Sequence, residues 1–220
     1  MRALANILGF ALTWAVWLWL AGQDLPFGVS LGIAVGAVVL LLPLALVGRW
    51  LIDLQPTPER AEWVTTGVHY LLGIFLGSAV LAATQFGLAS QGWPIPIPPW
   101  LGLAVMFISG LALAAAIVNL AAKGLGAPFA VAFTRALAAE WLYAWTRNPL
   151  VLSALAFLLG LGLWLRSGLF LVWVLAVVSP AALVMLRVFE ERELEIRFGQ
   201  AYEEYRAKTP MLFPRRPKRD

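Results

Sequence analysis

The chain is 220 residues long, 61% hydrophobic and only 13% charged, with a mean hydropathy of +0.83. A soluble domain is about half apolar and about a quarter charged, so this composition defines an integral membrane protein. The absence of cysteine excludes disulfides, thiolate metal sites and a cysteine nucleophile, while the single histidine, His69, excludes a multi-histidine metal cluster and argues against a Ser-His-Asp triad.

Six apolar stretches, near 3–22, 27–48, 66–89, 100–121, 149–166 and 168–187, are each long enough to cross a hydrocarbon core about 30 Å thick, which takes roughly 17–25 helical residues. The predicted fold class is therefore all-α: a polytopic bundle of about six transmembrane helices forming one membrane domain, 1–220. Within it, 1–122 holds the N-terminal spans, 123–214 a second region and 215–220 a basic tail. The first span follows Arg2 and runs to Gln23 without a small-x-small cleavage site, which predicts an uncleaved helix. In the second and third spans, Gly32 with Gly36 and Gly73 with Gly77 are small residues four apart, a signal for close helix packing in a bilayer. His69, near the start of the third span, reads as a packing or interfacial histidine.

The uncharged stretch Gln91-Gly92-Trp93-Pro94-Ile95-Pro96-Ile97-Pro98-Pro99-Trp100 carries too much proline to continue a helix, and its flanking tryptophans place it at a membrane interface. Asn119 and Lys123, four apart at the end of the fourth span, share a face. The segment from Lys123 to Thr146, with Gly124-Leu125-Gly126-Ala127-Pro128, is too polar and broken to span. Arg147-Asn148-Pro149 then opens the fifth span: asparagine favours the N-cap, proline the first helical position, and arginine anchors the interface. Ser179-Pro180 predicts a kink in the sixth span.

Beyond that span, Leu194, Phe198, Ala201, Tyr202 and Tyr205 recur at three- and four-residue intervals, predicting an amphipathic helix over Glu190–Lys208. Glu193 and Glu195 are assigned to its solvated face. Glu190 and Glu191 follow directly on the span, where a carboxylate is costly and turns inward. With the N-terminus cytoplasmic, fifteen of the sixteen Lys and Arg residues fall inside and only Arg166 outside. That asymmetry predicts both termini in the cytoplasm, and the expected location is the inner or plasma membrane of a prokaryote. The basic tail Arg215-Arg216-Pro217-Lys218-Arg219 suits anionic membrane lipids rather than nucleic acid.

The ordered set is more specific than its parts. Arg147-Asn148-Pro149, an apolar hairpin, Glu190-Glu191-x-x-Leu194-x-x-x-Phe198-Gly199-x-x-Tyr202-x-x-Tyr205, then Pro210 and Phe213-Pro214 together resemble the isoprenylcysteine carboxyl methyltransferase and phospholipid methyltransferase superfamily of integral membrane enzymes. The resemblance covers roughly 123–214, including the glycine- and proline-containing loop of Gly126 and Pro128 and the pair Tyr143 and Trp145 ahead of the arginine. It departs from the family at Val151, where a tyrosine is usual, and at Ser153 and Trp141, where glycines are usual.

What the resemblance implies is a pocket for S-adenosylmethionine built from Gly126, Pro128, Tyr143, Arg147, Asn148, Pro149, Glu190, Glu191, Tyr202 and Tyr205, with Arg147 and Glu191 in the catalytic role. An arginine or a helix N-terminus suits the cofactor's carboxylate, acidic residues suit its ammonium, sulfonium and ribose, and tyrosines can flank adenine or sulfonium. The implied reaction is methyl transfer to a lipid or small hydrophobic acceptor through a carboxylate, amine or thiol, without a metal. The sulfonium is already activated, so the protein's task is alignment and exclusion of water. The chain offers no dedicated base, which favours an acceptor that is already ionised. Two alternatives stay open: an NADPH-dependent reductase of the sterol or steroid type, and a non-catalytic lipid-binding membrane protein.

Overall fold

Prolines set the helix starts. The computed structural model describes residues 2–89, 93–124 and 136–216, and among them α2 (Phe27–Val39) follows Pro26, while α4 (Pro58–Ala89), α5 (Pro99–Gly124) and α6 (Pro149–Trp164) each begin on a proline. The first helical position needs no N–H donor, and the fixed φ of proline suits it. Helix α1 covers Arg2–Ala21 and α3 covers Leu41–Asp53. The break between α2 and α3, at Leu40, lies just ahead of Pro43, whose ring clashes with the carbonyl four residues earlier.

After α6, one continuous helix runs over Gly168–Phe198. It consists of α7 (Gly168–Trp173), α8 (Ser179–Met185) and α9 (Glu191–Phe198), joined by π-helical stretches at Val174–Val178 and Leu186–Glu190. The first π stretch lies immediately before Ser179-Pro180, where a kink is expected. Pro180 has no N–H to donate, and the Ser179 hydroxyl donates to the Val174 carbonyl at 2.9 Å.

All the described secondary structure is helical apart from an isolated bridge between Pro94 and Ser167. Five helical segments are long and apolar enough to cross a membrane: Leu4–Ala21, Phe27–Asp53, Pro58–Gly87, Pro99–Ala122 and Gly168–Phe198. The fifth apolar stretch of the sequence forms α6, which at 16 residues is shorter. Two boundaries differ from expectation. The third span, α4, begins at Pro58 rather than near 66, because Thr57 and Pro58 supply a start signal ahead of the apolar run. The segment 190–208 is not one amphipathic helix: its first half continues the last span as α9, and the chain turns at Gly199, φ +52°, into α10 (Gln200–Lys208). A left-handed backbone there favours glycine.

Packing also redistributes the glycine roles. A Cβ on Gly32 or Gly36 would meet nothing within 4 Å, so that pair makes no close helix contact. Gly77 does, seating the Trp17 indole of α1, while Gly73 only reaches Thr13. The tightest backbone approach lies between α5 and α6: a Cβ on Gly102 would fall 2.2 Å from the Trp164 nitrogen, and one on Gly160 would fall 2.8 Å from the Met106 nitrogen. These two helices are antiparallel, and the segment 141–148 leads directly into α6. Two apolar cores hold the long C-terminal helix in place. One centres on Phe86, Phe170 and Trp173; the other centres on Met185 and Phe189 against Ala45, Ile52 and Val68.

Gly102→Ala is expected to destabilise the protein by about 1–3 kcal/mol, because backbone atoms must move to admit the methyl group. Gly32→Ala, facing open space, should leave the thermal midpoint in detergent unchanged or raise it. Equal effects of the two substitutions would contradict the assigned α5–α6 contact.

Candidate functional site

The site is assembled where 141–149 meets the end of the long helix. A 3₁₀ turn, Trp141–Ala144, enters it with Trp141 at φ +54°. The turn is tied to α5 by the fully buried Asn119, whose Oδ1 accepts the Leu142 N–H at 3.0 Å. A C-terminal strap, residues 210–215, then crosses the segment. The Arg147 N–H donates to the Pro210 carbonyl at 2.9 Å, and the Arg215 N–H donates to the Trp145 carbonyl at 3.0 Å. The Thr146 hydroxyl points between the Met211 and Leu212 carbonyls at 3.1 and 2.9 Å. Tyr205 Oη donates to the Tyr143 carbonyl at 2.6 Å, so α10 clasps the same stretch.

This frame aims Arg147 at α9. Its Nη1 lies 2.9 Å from Glu191 Oε1 and donates to Tyr202 Oη at 3.1 Å, with the Arg147 and Glu191 side chains only 11% and 19% exposed. The ion pair is close without being an aligned hydrogen bond: Glu191 Oε1 and Arg147 Nε are both buried and make no hydrogen bond. Buried polar atoms are seldom left unpaired, so this corner has donor capacity to spare for a ligand oxygen.

Asn148 occupies the N-cap position of α6, but its carboxamide does not cap. Its Nδ2 donates instead to the Met211 carbonyl at 2.9 Å, and no side chain caps the first turn of α6. Pro149 does take the first helical position. The helix therefore presents uncapped N–H groups, the positive end of its dipole, beside Arg147.

The three tyrosines stay protonated. Burial, helped by the nearby Glu190 carboxylate, pushes the Tyr143 phenol well above its ordinary value. Tyr202 is pushed up to about 12 by burial and by Glu191, partly opposed by Arg147. Burial, with Tyr143 beside it, also pushes the Tyr205 phenol well above its ordinary value. Next to the charged corner lies a cleft of about 280 Å³ between α5 and α6, lined by Ala112, Leu142, Trp145, Leu152, Ser153 and Pro214. Charge on one side and an apolar cleft on the other suit an amphiphilic or two-part ligand set.

Of the residues singled out from sequence, Tyr143, Arg147, Asn148, Pro149, Glu190, Glu191, Tyr202 and Tyr205 converge here. Gly126 and Pro128 lie outside the described residues, as does the Lys123 side chain. Glu193 departs from its assignment to a solvated face: it is 5% exposed and paired with Arg197 at 2.7 Å, because α9 lies against α4 rather than free at the surface. Glu195 pairs with Arg192 and Arg206. Thr146 and the strap carbonyls carry no signal in the sequence. Asn119, a lone carboxamide in an apolar span, carried one, but its bond to Leu142 was not legible.

Among the described residues no group of three or more His, Cys, Asp or Glu side chains is placed to hold a metal ion. No protein-family model, curated protein or solved structure matches the chain. Fold and site define a helical protein with several membrane-spanning helices and a half-buried charged corner beside an apolar cleft.

Raising the pH tests the tyrosine environment. A phenol whose folded value lies above its unfolded value of about 10 costs nothing below pH 10, and the folded state loses stability as the pH climbs from 10 toward 12. Unfolding in denaturant is expected to ease progressively over that window, and Tyr202→Phe should remove part of the slope. A flat profile from pH 9 to 12 would contradict the burial of these phenols.

Proposed function

We propose that the protein transfers a methyl group from S-adenosylmethionine to a lipid or small hydrophobic acceptor at the cytoplasmic face of the membrane. The observation that carries this reading is Arg147: a nearly buried guanidinium with an unsatisfied Nε, at the uncapped start of α6, held against Glu191 and Tyr202. Those residues fit the cofactor. Arg147 and the first-turn N–H groups of α6 suit its carboxylate, and Glu190 and Glu191 suit its cationic groups. The bound cofactor supplies an activated methyl group. Arg147 and Glu191 orient it, the strap and α10 keep water from the corner, and the cleft at Leu152 and Ser153 seats the apolar part of the acceptor.

The Trp141 backbone supports the resemblance on which the reading draws. Trp141 stands where the methyltransferase pattern has glycine, and it adopts φ +54°, a conformation that favours glycine. Its cost in a tryptophan is a reason to expect the turn to be functional. In this reading α6 serves as a short fifth span, hairpinned to the long helix, which is the sixth. The concentration of basic residues at the Arg147 end supports a cytoplasmic position for the corner, on the side where the cofactor is found.

Calorimetric titration of purified protein with S-adenosylmethionine, its demethylated product and NADPH discriminates the readings. The first two are expected to bind, and Arg147→Ala and Glu191→Ala should each weaken them by at least about tenfold, or about 1.4 kcal/mol. Both variants should keep the wild-type fold by circular dichroism. Binding of NADPH alone, or wild-type affinity in both variants, would overturn the proposal.

A further inference from the structure

We infer that Ser153 is the specificity-determining residue of the α5–α6 cleft. Its free hydroxyl hydrogen-bonds to an uncharged oxygen, so the cleft takes a lipid or small amphiphile bearing a hydroxyl or carbonyl rather than a plain hydrocarbon chain. Calling that ligand the acceptor rests on the methyl-transfer reading; the binding preference does not.

Helices in apolar surroundings ordinarily satisfy their own hydroxyls. A serine or threonine there donates to a carbonyl three or four residues earlier, because little else around it accepts. This chain does so repeatedly: Thr13 donates to the Gly9 carbonyl at 2.8 Å, Thr66 to the Glu62 carbonyl at 2.8 Å and Ser109 to the Val105 carbonyl at 2.6 Å. Ser153, in the second turn of α6, does not. It is 8% exposed, it forms part of the cleft wall, and its hydroxyl makes no hydrogen bond among the described residues. A buried hydroxyl left unpaired is costly, and a ligand oxygen in the cleft would remove that cost.

The rest of the wall narrows what the ligand is. Helices α5 and α6 touch at Gly102 and Gly160, and Ser153 lies about two turns along α6 from that contact, toward the Arg147 end. There Ala112 of α5 and Ser153 of α6, both small, leave a volume of about 280 Å³, near the lower end for a small-molecule site. Thr146, the other hydroxyl on the wall, is committed to the Met211 and Leu212 carbonyls and to the Asn148 N–H. Asn119 keeps an unpaired amide N–H, but its side chain is fully buried and is not part of the wall. No Asp, Glu, Lys or Arg side chain lines the cleft, so a charged group inside it would lack a counterion. The group that Ser153 meets is therefore neutral. Pro149, one turn earlier on the same wall, starts α6, which puts an oxygen held at Ser153 about 6 Å along the helix from the Arg147 corner. A site built around one such bond sorts ligands by the oxygen, because an oxygen-free chain leaves the hydroxyl unpaired.

Photolabelling of the purified full chain with trace decanol carrying an alkyl diazirine reads the cleft directly. Adducts are expected on 106–119 and 142–156, and Ser153→Leu, which fills the cleft, should abolish them. Unlabelled 1-decanol, 2-decanone and decane then compete with the label in wild type and in Ser153→Ala, so that partition into detergent cancels for each competitor. Loss of the hydroxyl should weaken decanol and decanone roughly three- to tenfold and leave decane unchanged. Ser153→Gly, which also lacks the hydroxyl, should give the same pattern and decides the matter if the alanine variant fails to fold. Equal losses for all three competitors, no loss for any, or adducts absent from both segments would overturn the inference. If the protein labels as expected and binds no S-adenosylmethionine, the methyl-transfer reading falls and the oxygen preference stands.

Discussion

The contact between Arg147 and Glu191 is the constraint around which the C-terminal half is arranged. A guanidinium this buried at the margin of apolar helices is stable only with an anion beside it and polar partners around it. Glu191 supplies the anion and Tyr202 a hydroxyl, while backbone bonds from the strap fix the main chain on either side. The pair also joins parts of the chain that are distant in sequence: the loop before α6 and the far end of the long helix. The strap, the clasp of Tyr205 on Tyr143 and the uncapped start of α6 all follow from holding that loop in one conformation.

The N-terminal helices hold the acidic side of this arrangement. Gly48 admits Phe189, the α3–α4 corner supplies Asp53 for Arg192, and α4 covers the Glu193–Arg197 pair. Helices α5 and α6, drawn together at Gly102 and Gly160, hold the basic side.

Much of this was legible in the sequence, for definable reasons. Helix existence and most boundaries follow from apolar length and from prolines at 26, 58, 99 and 149. The convergence of Arg147, Glu190, Glu191, Tyr202 and Tyr205 follows from their order around a hairpin. Local spacing fails where a tertiary neighbour decides. Glu193 reads as solvated because α4 is remote in sequence, and Gly32 with Gly36 reads as a packing face although no helix among the described residues covers it. Asn148 looks like an N-cap until the strap, more than sixty residues later, claims its carboxamide. Gly102 and Gly160 carry no spacing signal because their partner is another helix.

We propose that an adenosyl cofactor sits at the Arg147–Glu191 corner. Ultraviolet cross-linking of S-adenosylmethionine to the purified protein, with the adduct mapped by peptide mass spectrometry, tests it most directly. Adducts are expected on 141–149 and on 189–205, suppressed by excess demethylated product and lost in Arg147→Ala. Adducts confined to other helices, or labelling of the corner that excess product does not suppress, would contradict it.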